Sequence, residues 1–337
     1  MKVLGIETSC DETAAAVVKD GRHICSSIVA TQIPFHEAYK GVVPEIASRK
    51  HTEWILPVVR SALHEAGETL QSIDGIAVTS RPGLMGSLLV GLTFAKSLAW
   101  ACNKPFIAVN HMLGHLYAAH LEQEIAYPYL GLLVSGGHSI ICKVSNFDSI
   151  EVLGTTIDDA PGEAFDKVAK FYNFGYPGGL IIDQLAKKGN PKAANFPMPV
   201  LHNRERKYDV SYSGLKTAVI NQLDQFWNPA YEKTPENIAA AFQMRAVKIL
   251  LRALLRAAAD TGLRTIVAGG GVAANSLLRA KLAEEKQLTC IFPPLKYCTD
   301  NAAMIAGLGY QYLTRKEYSP LNCPASARVE GFKKKYR

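Results

Sequence analysis

Leu4-Gly5-Ile6-Glu7-Thr8-Ser9, at the start of the chain, has an echo in Leu130-Gly131-Leu132-Leu133-Val134-Ser135. Each is an apolar run with one glycine that ends on a small hydroxyl residue, the composition of a buried strand entering a turn. The next residues are alike as well. The polar turn Ser9-Cys10-Asp11-Glu12-Thr13 leads into the apolar strand Ala14 to Val18, and Ser135-Gly136-Gly137-His138 leads into Ile140 to Val144. Further on, Thr265-Ile266-Val267-Ala268-Gly269 echoes Gly75-Ile76-Ala77-Val78-Thr79, and both lead into a glycine turn and a helix. Two apolar strands resemble each other by chance, but a repeated order of elements points to a duplicated βββαβαβα unit. The predicted fold is therefore α/β, with two domains enclosing a cleft. Ligands in such sheets bind at the carboxyl ends of the strands.

Working outward, the first copy has strands Val3 to Thr8, Ala14 to Val18 and Ile24 to Ala30, then alternating helix and strand. A helical pattern runs from Glu45 to Ala66, with Pro57 expected to kink or break it. The expected domains are residues 1–128, to which 300–337 returns, and 129–299. The second carries an insertion at about 171–227 that includes Lys187, Lys188, Arg204, Arg206 and Lys207.

A chain of 337 residues is long enough for two cores. With 48% hydrophobic and 20% charged residues it reads as a globular protein, and no apolar run reaches a membrane span. The first residues lack the features of a signal peptide. Seven cysteines, none in a Cys-x-x-Cys pair, suit a reducing cytoplasm. The net charge of +7, with Lys333, Lys334, Lys335 and Arg337 at the end, fits a phosphate-rich partner or a solvated tail.

The chemistry begins at His111-Met112-Leu113-Gly114-His115, directly after the strand Phe106 to Asn110. At the start of a helix that continues to Leu121, histidines four apart share a face and can reach one metal ion. A metalloprotease would need a glutamate where Met112 stands. The third ligand is best sought at Asp300, in Thr299-Asp300-Asn301. The competing reading is that Thr299 or Asp300 caps the helix beginning at Ala302. Two histidines and a carboxylate with open positions suit iron(II), with zinc or manganese as alternatives. The turns after Ser9 and Ser135 are matching candidates for binding an anion such as phosphate. Gly269-Gly270-Gly271-Val272-Ala273-Ala274-Asn275 formally satisfies a dinucleotide pattern, but the next strand, ending at Phe292, lacks the acid that would hold a ribose. A mononucleotide at that helix start remains an open reading.

Together these stretches resemble the universal family of tRNA threonylcarbamoyladenosine transferases, TsaD in bacteria, formerly described as O-sialoglycoprotein endopeptidases. Besides those quoted, the matching motifs include Gly41 to Arg49, Pro82-Gly83-Leu84, Asp158 to Lys167, Tyr176-Pro177-Gly178-Gly179, Ser211 to Thr217 and Cys298 to Asn301. Leu113 and Ala273 depart from residues usual in the family. The resemblance implies an actin/Hsp70-like (ASKHA) fold. It implies transfer of a threonylcarbamoyl group from L-threonylcarbamoyladenylate to N6 of the adenosine 3′-adjacent to the anticodon, in tRNAs reading codons that begin with A, releasing AMP. It also implies His111, His115 and Asp300 as ligands of one divalent metal, Fe(II) foremost with Zn as alternative. Val134, Ser135, Gly136, Gly137, His138, Asp166, Gly179, Asp183 and Asn275 would hold the adenylate, with ATP, ADP or AMP able to occupy the same cleft. Ser9 joins them from the first turn. Asp11 and Glu12 are candidates for accepting the proton of the attacking amine. Implied partners are tRNA, an inactive paralogue (TsaB), a small P-loop ATPase (TsaE) and a separate threonylcarbamoyladenylate synthase, all in the cytoplasm without a membrane. An ATPase on the same fold and a non-catalytic nucleotide-binding scaffold are rival readings, and neither has a use for a His/His/Asp cluster.

Overall fold

A computed structural model describes residues 1–199, 201, 206–328 and 332. Arg204, Lys333, Lys334, Lys335 and Arg337 lie outside the described residues. The chain divides into two compact units, Met1–Ala126 with Pro293–Glu330, and Tyr127–Phe292 with Gly331–Arg337.

In the first unit β1 (Lys2–Glu7) is the central strand, buried on both faces from Val3 onward. It pairs antiparallel with β2 (Glu12–Lys19), which pairs with β3 (His23–Thr31). On its other side come β4 (Gly75–Arg81) and β5 (Phe106–Asn110), both parallel, giving the order β3-β2-β1-β4-β5. The helices are α1 (Ile33–His36), α2 (Pro44–Glu65), α3 (Met85–Ala101) and α4 (His111–Tyr117). Pro57 does not break α2. It sits on the exposed face, where the carbonyl that loses its partner can bond to water. The helix at His111 is also shorter than expected, tightening to a 3-10 turn over Ala118–Leu121.

The second unit repeats the plan. Its sheet comprises β6 (Tyr129–Val134), β7 (Ser139–Asn146), β8 (Ser149–Thr155), β9 (Thr265–Gly269) and β10 (Thr289–Ile291), in the order β10-β9-β6-β7-β8. Read from β8, this is the strand order of the first sheet. Gly5 faces Ala16 and Ala77 across its ladders, and Gly131 faces Cys142 and Val267, so the echoed glycines hold equivalent central positions. The helices are α5 (Pro161–Phe171), α6 (Gly178–Ala186), α7 (Ser213–Asn221), α8 (Leu223–Phe226), α9 (Pro235–Thr261) and α10 (Ser276–Ala283). Of these, α6, α7 and α8 fall in the stretch expected as an insertion. The core packs α5, α7 and α9 on one face of β6 and β9, through Phe165, Leu215, Phe242, Leu250 and Ile266.

The chain then returns to the first unit with α11 (Ala302–Thr314), which packs on β1 and α4. Close approach depends on missing side chains. A Cβ on Gly5 would lie 2.3 Å from the Ala302 carbonyl oxygen, and one on Gly114 would lie 2.9 Å from Ile305 Cδ1. No helix among the described residues is long and apolar enough to cross a membrane.

Candidate functional site

Two helix starts in the first unit bring three candidate ligands together. Asn110 caps α4 by accepting from the Met112 N–H at 2.9 Å, which puts His111 in the first helical position and His115 one turn later. The α11 cap is Asn301, whose Oδ1 accepts from Met304 N at 3.0 Å while its amide donates to the Tyr297 and Thr299 carbonyls. The competing sequence reading therefore fails. Asp300 is not the cap, and its carboxylate is directed to the histidines. His115 Nε2 lies 3.1 Å from Asp300 Oδ1 and His111 Nε2 lies 3.5 Å from the same oxygen. One ligand atom from each residue falls within 4.8 Å of the others. Both histidines are buried, with rings edge to face at 4.5 Å. Two imidazole nitrogens aimed at one carboxylate oxygen form a cluster that a cation would complete. The N, N, O donor set fits a divalent metal.

Behind His111 stands a residue that motif reading missed. Glu7, fully buried at the end of β1, holds Oε2 at 2.9 Å from His111 Nδ1 and is further bonded by Thr79 Oγ1 and Ser9 N. A carboxylate on Nδ1 fixes the tautomer and ring angle of a histidine that ligates through Nε2. The clue available was an acid ending an otherwise apolar strand. Burial opposes a charge on His111, but Asp300 and Glu7 outweigh it and raise its pKa to about 9. Burial alone would push the Glu7 carboxyl up, and the His111 charge and hydrogen bond bring it below the usual range. Burial and the neighbouring His111 lower the pKa of His115.

Ser9 is buried, with Oγ 3.2 Å from His111 Nδ1, and its carbonyl accepts from Leu84 N at 2.8 Å. Gly83 allows that contact, since a Cβ there would lie 2.5 Å from the Ser9 oxygen. His51, also missed in the sequence, ties down the turn by bonding Thr13 Oγ1 at 2.8 Å and the Cys10 carbonyl at 2.9 Å. Asp11 is buried beside Glu12, whose carboxyl is pushed well above the usual range by burial and by the charges of Asp11 and Asp300. A hollow of about 720 Å³ along β3, lined by Arg22, Glu65, Glu122 and Lys296 among others, contains none of these groups.

In the second unit, β6 ends at Val134, and the turn closes with Ser135 N donating to the His138 carbonyl at 2.9 Å. Gly136 and Gly137 are exposed, neither has a positive φ, and a Cβ on either meets nothing within 4 Å. The fold does not require glycine there. It does at Gly162, whose Cβ would lie 2.7 Å from Gly136 Cα, and at Gly270, which has φ +90 and abuts the Val134 carbonyl. Asp166 Oδ1 accepts from Gly178 N at 2.8 Å, and a Cβ on Gly179 meets open space. Asp183 Oδ1 accepts from Ser276 N, Ser276 Oγ and Gln243 Nε2. Asn275 Oδ1 caps α10 through Leu278 N and lies 3.2 Å from Gln243 Nε2. Buried Gln243, a third residue missed in the sequence, joins Asp183 to Asn275 while its own Oε1 has no hydrogen-bond partner among the described residues.

The profile of the family TsaD: tRNA N6-adenosine threonylcarbamoyltransferase matches residues 23–307. A curated relative of that name from Treponema denticola is 80% identical over 337 residues, covering all of both chains. The chain belongs to the TsaD family. Another member, from Treponema pallidum, is 63% identical over 99% of this chain and 95% of its own. Among solved structures, component A of the Acidaminococcus fermentans (R)-2-hydroxyglutaryl-CoA dehydratase superposes with a TM-score of 0.55 at 15% identity, covering 93% of this chain and 99% of that one. That likeness concerns the fold alone, an actin/Hsp70-like one, and agrees with the duplicated sheets of this TsaD-family chain.

Proposed function

We propose that this chain transfers the threonylcarbamoyl group of L-threonylcarbamoyladenylate to N6 of the adenosine 3′-adjacent to the anticodon, in tRNAs reading codons that begin with A. The observation that carries the reading, beyond family membership, is the convergence of His111, His115 and Asp300 with Glu7 behind His111. These three residues would hold one divalent ion, Fe(II) foremost and Zn as the alternative. When bound, the ion supplies Lewis acidity to the carbamoyl oxygen.

The chain's own residues would do the rest. The N6 amine attacks the carbamoyl carbon, the bond from that carbon to the phosphate oxygen breaks, and AMP leaves with the bonding pair. The amine proton passes to a carboxylate. Asp11 and Glu12 are the candidate acceptors, and burial together with the charges of Asp11 and Asp300 pushes the Glu12 carboxyl up. Ser9 would steady the His111 ring. Open space at Gly136, Gly137 and Gly179 supports close approach of the adenylate to backbone there, beside Val134, Ser135 and His138. The unpartnered Gln243 Oε1, beside Asp183 and Asn275, supports an adenylate donor at that point. Asp166 completes the set as an acceptor for ribose hydroxyls.

Family membership supports tRNA as the acceptor, an inactive paralogue and a small P-loop ATPase as partners, and a separate synthase as the adenylate source. A tRNA substrate fits a cytoplasmic reaction. Elemental analysis paired with a transfer assay on unmodified tRNA tests the core of the proposal. His111→Ala should lose stoichiometric metal and all transfer while remaining folded. A fully active, metal-free His111→Ala protein would overturn it.

A further inference from the structure

Between Glu236 and Asp260, α9 carries Arg245, Lys248, Arg252 and Arg256 and no acid. Their spacing of three, four and four residues keeps them on one face. The opposite face, including Phe242, Leu250 and Leu254, is buried in the core. Lys248, Arg252 and Arg256 are exposed and Arg245 is half-buried. Toward the end of the helix, Arg206 and Lys207 of the inserted stretch meet Arg252 and Arg256 around a hollow of about 240 Å³, where Asp209 is the one acid among the described lining residues.

Local contacts neutralise only part of this charge. Lys207 pairs with Asp260 at 2.7 Å. Arg245 Nη2 donates to Asn195 Oδ1, and Arg252 Nη2 donates to the Pro199 carbonyl, both at 2.6 Å. These two acceptors are uncharged, so they orient the guanidinium groups without cancelling them. Lys248 has no hydrogen bond or ion pair among the described residues, and Arg256 shares the field of Asp260 with Lys207 without forming an ion pair of its own there. Lys248 with Arg252, and Arg252 with Arg256, stand four apart, the spacing at which like charges on a helix repel. The helix dipole favours a cation in the last turn and does not account for Arg245 or Lys248. A face kept only for solubility intersperses both signs. Oriented cations along one ridge, with Asp260 the one acid shown acting on them among the described residues, instead match a polyanion.

We infer that this ridge is a docking surface for the backbone phosphates of tRNA, with the hollow at Arg206, Lys207, Arg252 and Arg256 seating one of them. The inference rests on the reading of tRNA as substrate and adds to it a face built from residues outside every catalytic motif. The test uses the full chain, alone and with the paralogue and P-loop ATPase added, and an unmodified tRNA transcript titrated over a range of salt. Arg252→Gln with Arg256→Gln should weaken binding and make the slope of log affinity against log salt shallower by about 0.7–0.9 for each lost contact. Arg252→Lys with Arg256→Lys should keep the parental slope, since the charge remains. If the lysine pair loses the slope as the glutamine pair does, the effect is packing and the inference falls. Should the glutamine pair fail to fold, Lys248→Gln, at an exposed site without a partner among the described residues, carries the test with one contact's loss of slope. A folded glutamine pair that matches the parent in affinity and slope overturns the ridge alone. A parent that binds no transcript in either setting overturns the tRNA reading, and the ridge with it.

Discussion

Glu7 and His111 are buried against each other, so the proton on one sets the charge of the other. In the metal-free protein the pKa of His111 is raised from 6.5 to about 9. Its stabilisation is therefore fully present below about pH 6.5 and is lost as the pH rises through about 9. Glu7 has the opposite sense. Its carboxyl is held below 4.5, so its share is present above that value and fades as acid titrates it. Denaturant unfolding of metal-free protein should show stability falling from pH 6.5 towards 9, and a flat profile there would contradict the pairing. Metal must displace the His111 proton, so apparent metal affinity should climb about tenfold per pH unit up to roughly pH 9. Glu7→Gln should weaken metal binding by about 10–100-fold, with transfer partly restored by excess metal. A variant with parental metal affinity would reduce Glu7 to a packing role.

At the scale of elements, the site depends on helix starts and tight turns whose structural and chemical residues stand next to each other. Asn301 caps α11 while its neighbour Asp300 faces the histidines. Asn301→Ala should therefore cost about 1–2 kcal/mol of stability. Asp300→Ala should remove metal, and calorimetry with metal analysis of both variants tells the cap from the ligand. The glycine turn divides in the same way. Gly136→Ala adds a methyl into open space and should leave the fold unchanged while weakening adenylate binding, whereas Gly162→Ala drives a Cβ into Gly136 and should destabilise the unit. Equal adenylate affinity for Gly136→Ala and the parent would mean that the turn is only a turn. Gly5→Ala pushes against the Ala302 carbonyl and should loosen α11 and the metal site together.

At the scale of the whole molecule, the two sheets share one strand order but not one chemistry. The residue echoing Glu7 is Leu133, and β10, the counterpart of the β5 strand that His111 directly follows, is followed by Phe292-Pro293-Pro294 with no histidine. One metal per chain is the expected stoichiometry. Free metal held at 100 times its dissociation constant should add about 2.7 kcal/mol to the stability of the folded chain. Chelation should reverse this shift and abolish transfer. A melting transition indifferent to metal would count against the His111–His115–Asp300 site.

The duplication, the paired histidines and the small-residue turns could be read from the chain, because strand and helix periods and i,i+4 spacing are local properties. Only the tertiary structure decided that Asn301, and not Asp300, caps α11. That choice turns on which side chain reaches Met304 N once the backbone path is set. It also brought Glu7 to His111 and Gln243 to Asp183 and Asn275, and laid Arg206 and Lys207 beside Arg252 and Arg256. These groups are separated by tens or hundreds of residues and are joined by strand order and helix packing, which no local period encodes. Pro57 shows the limit from the other side, since a local signal for a kink or a break does not end a helix whose buried face holds it in place.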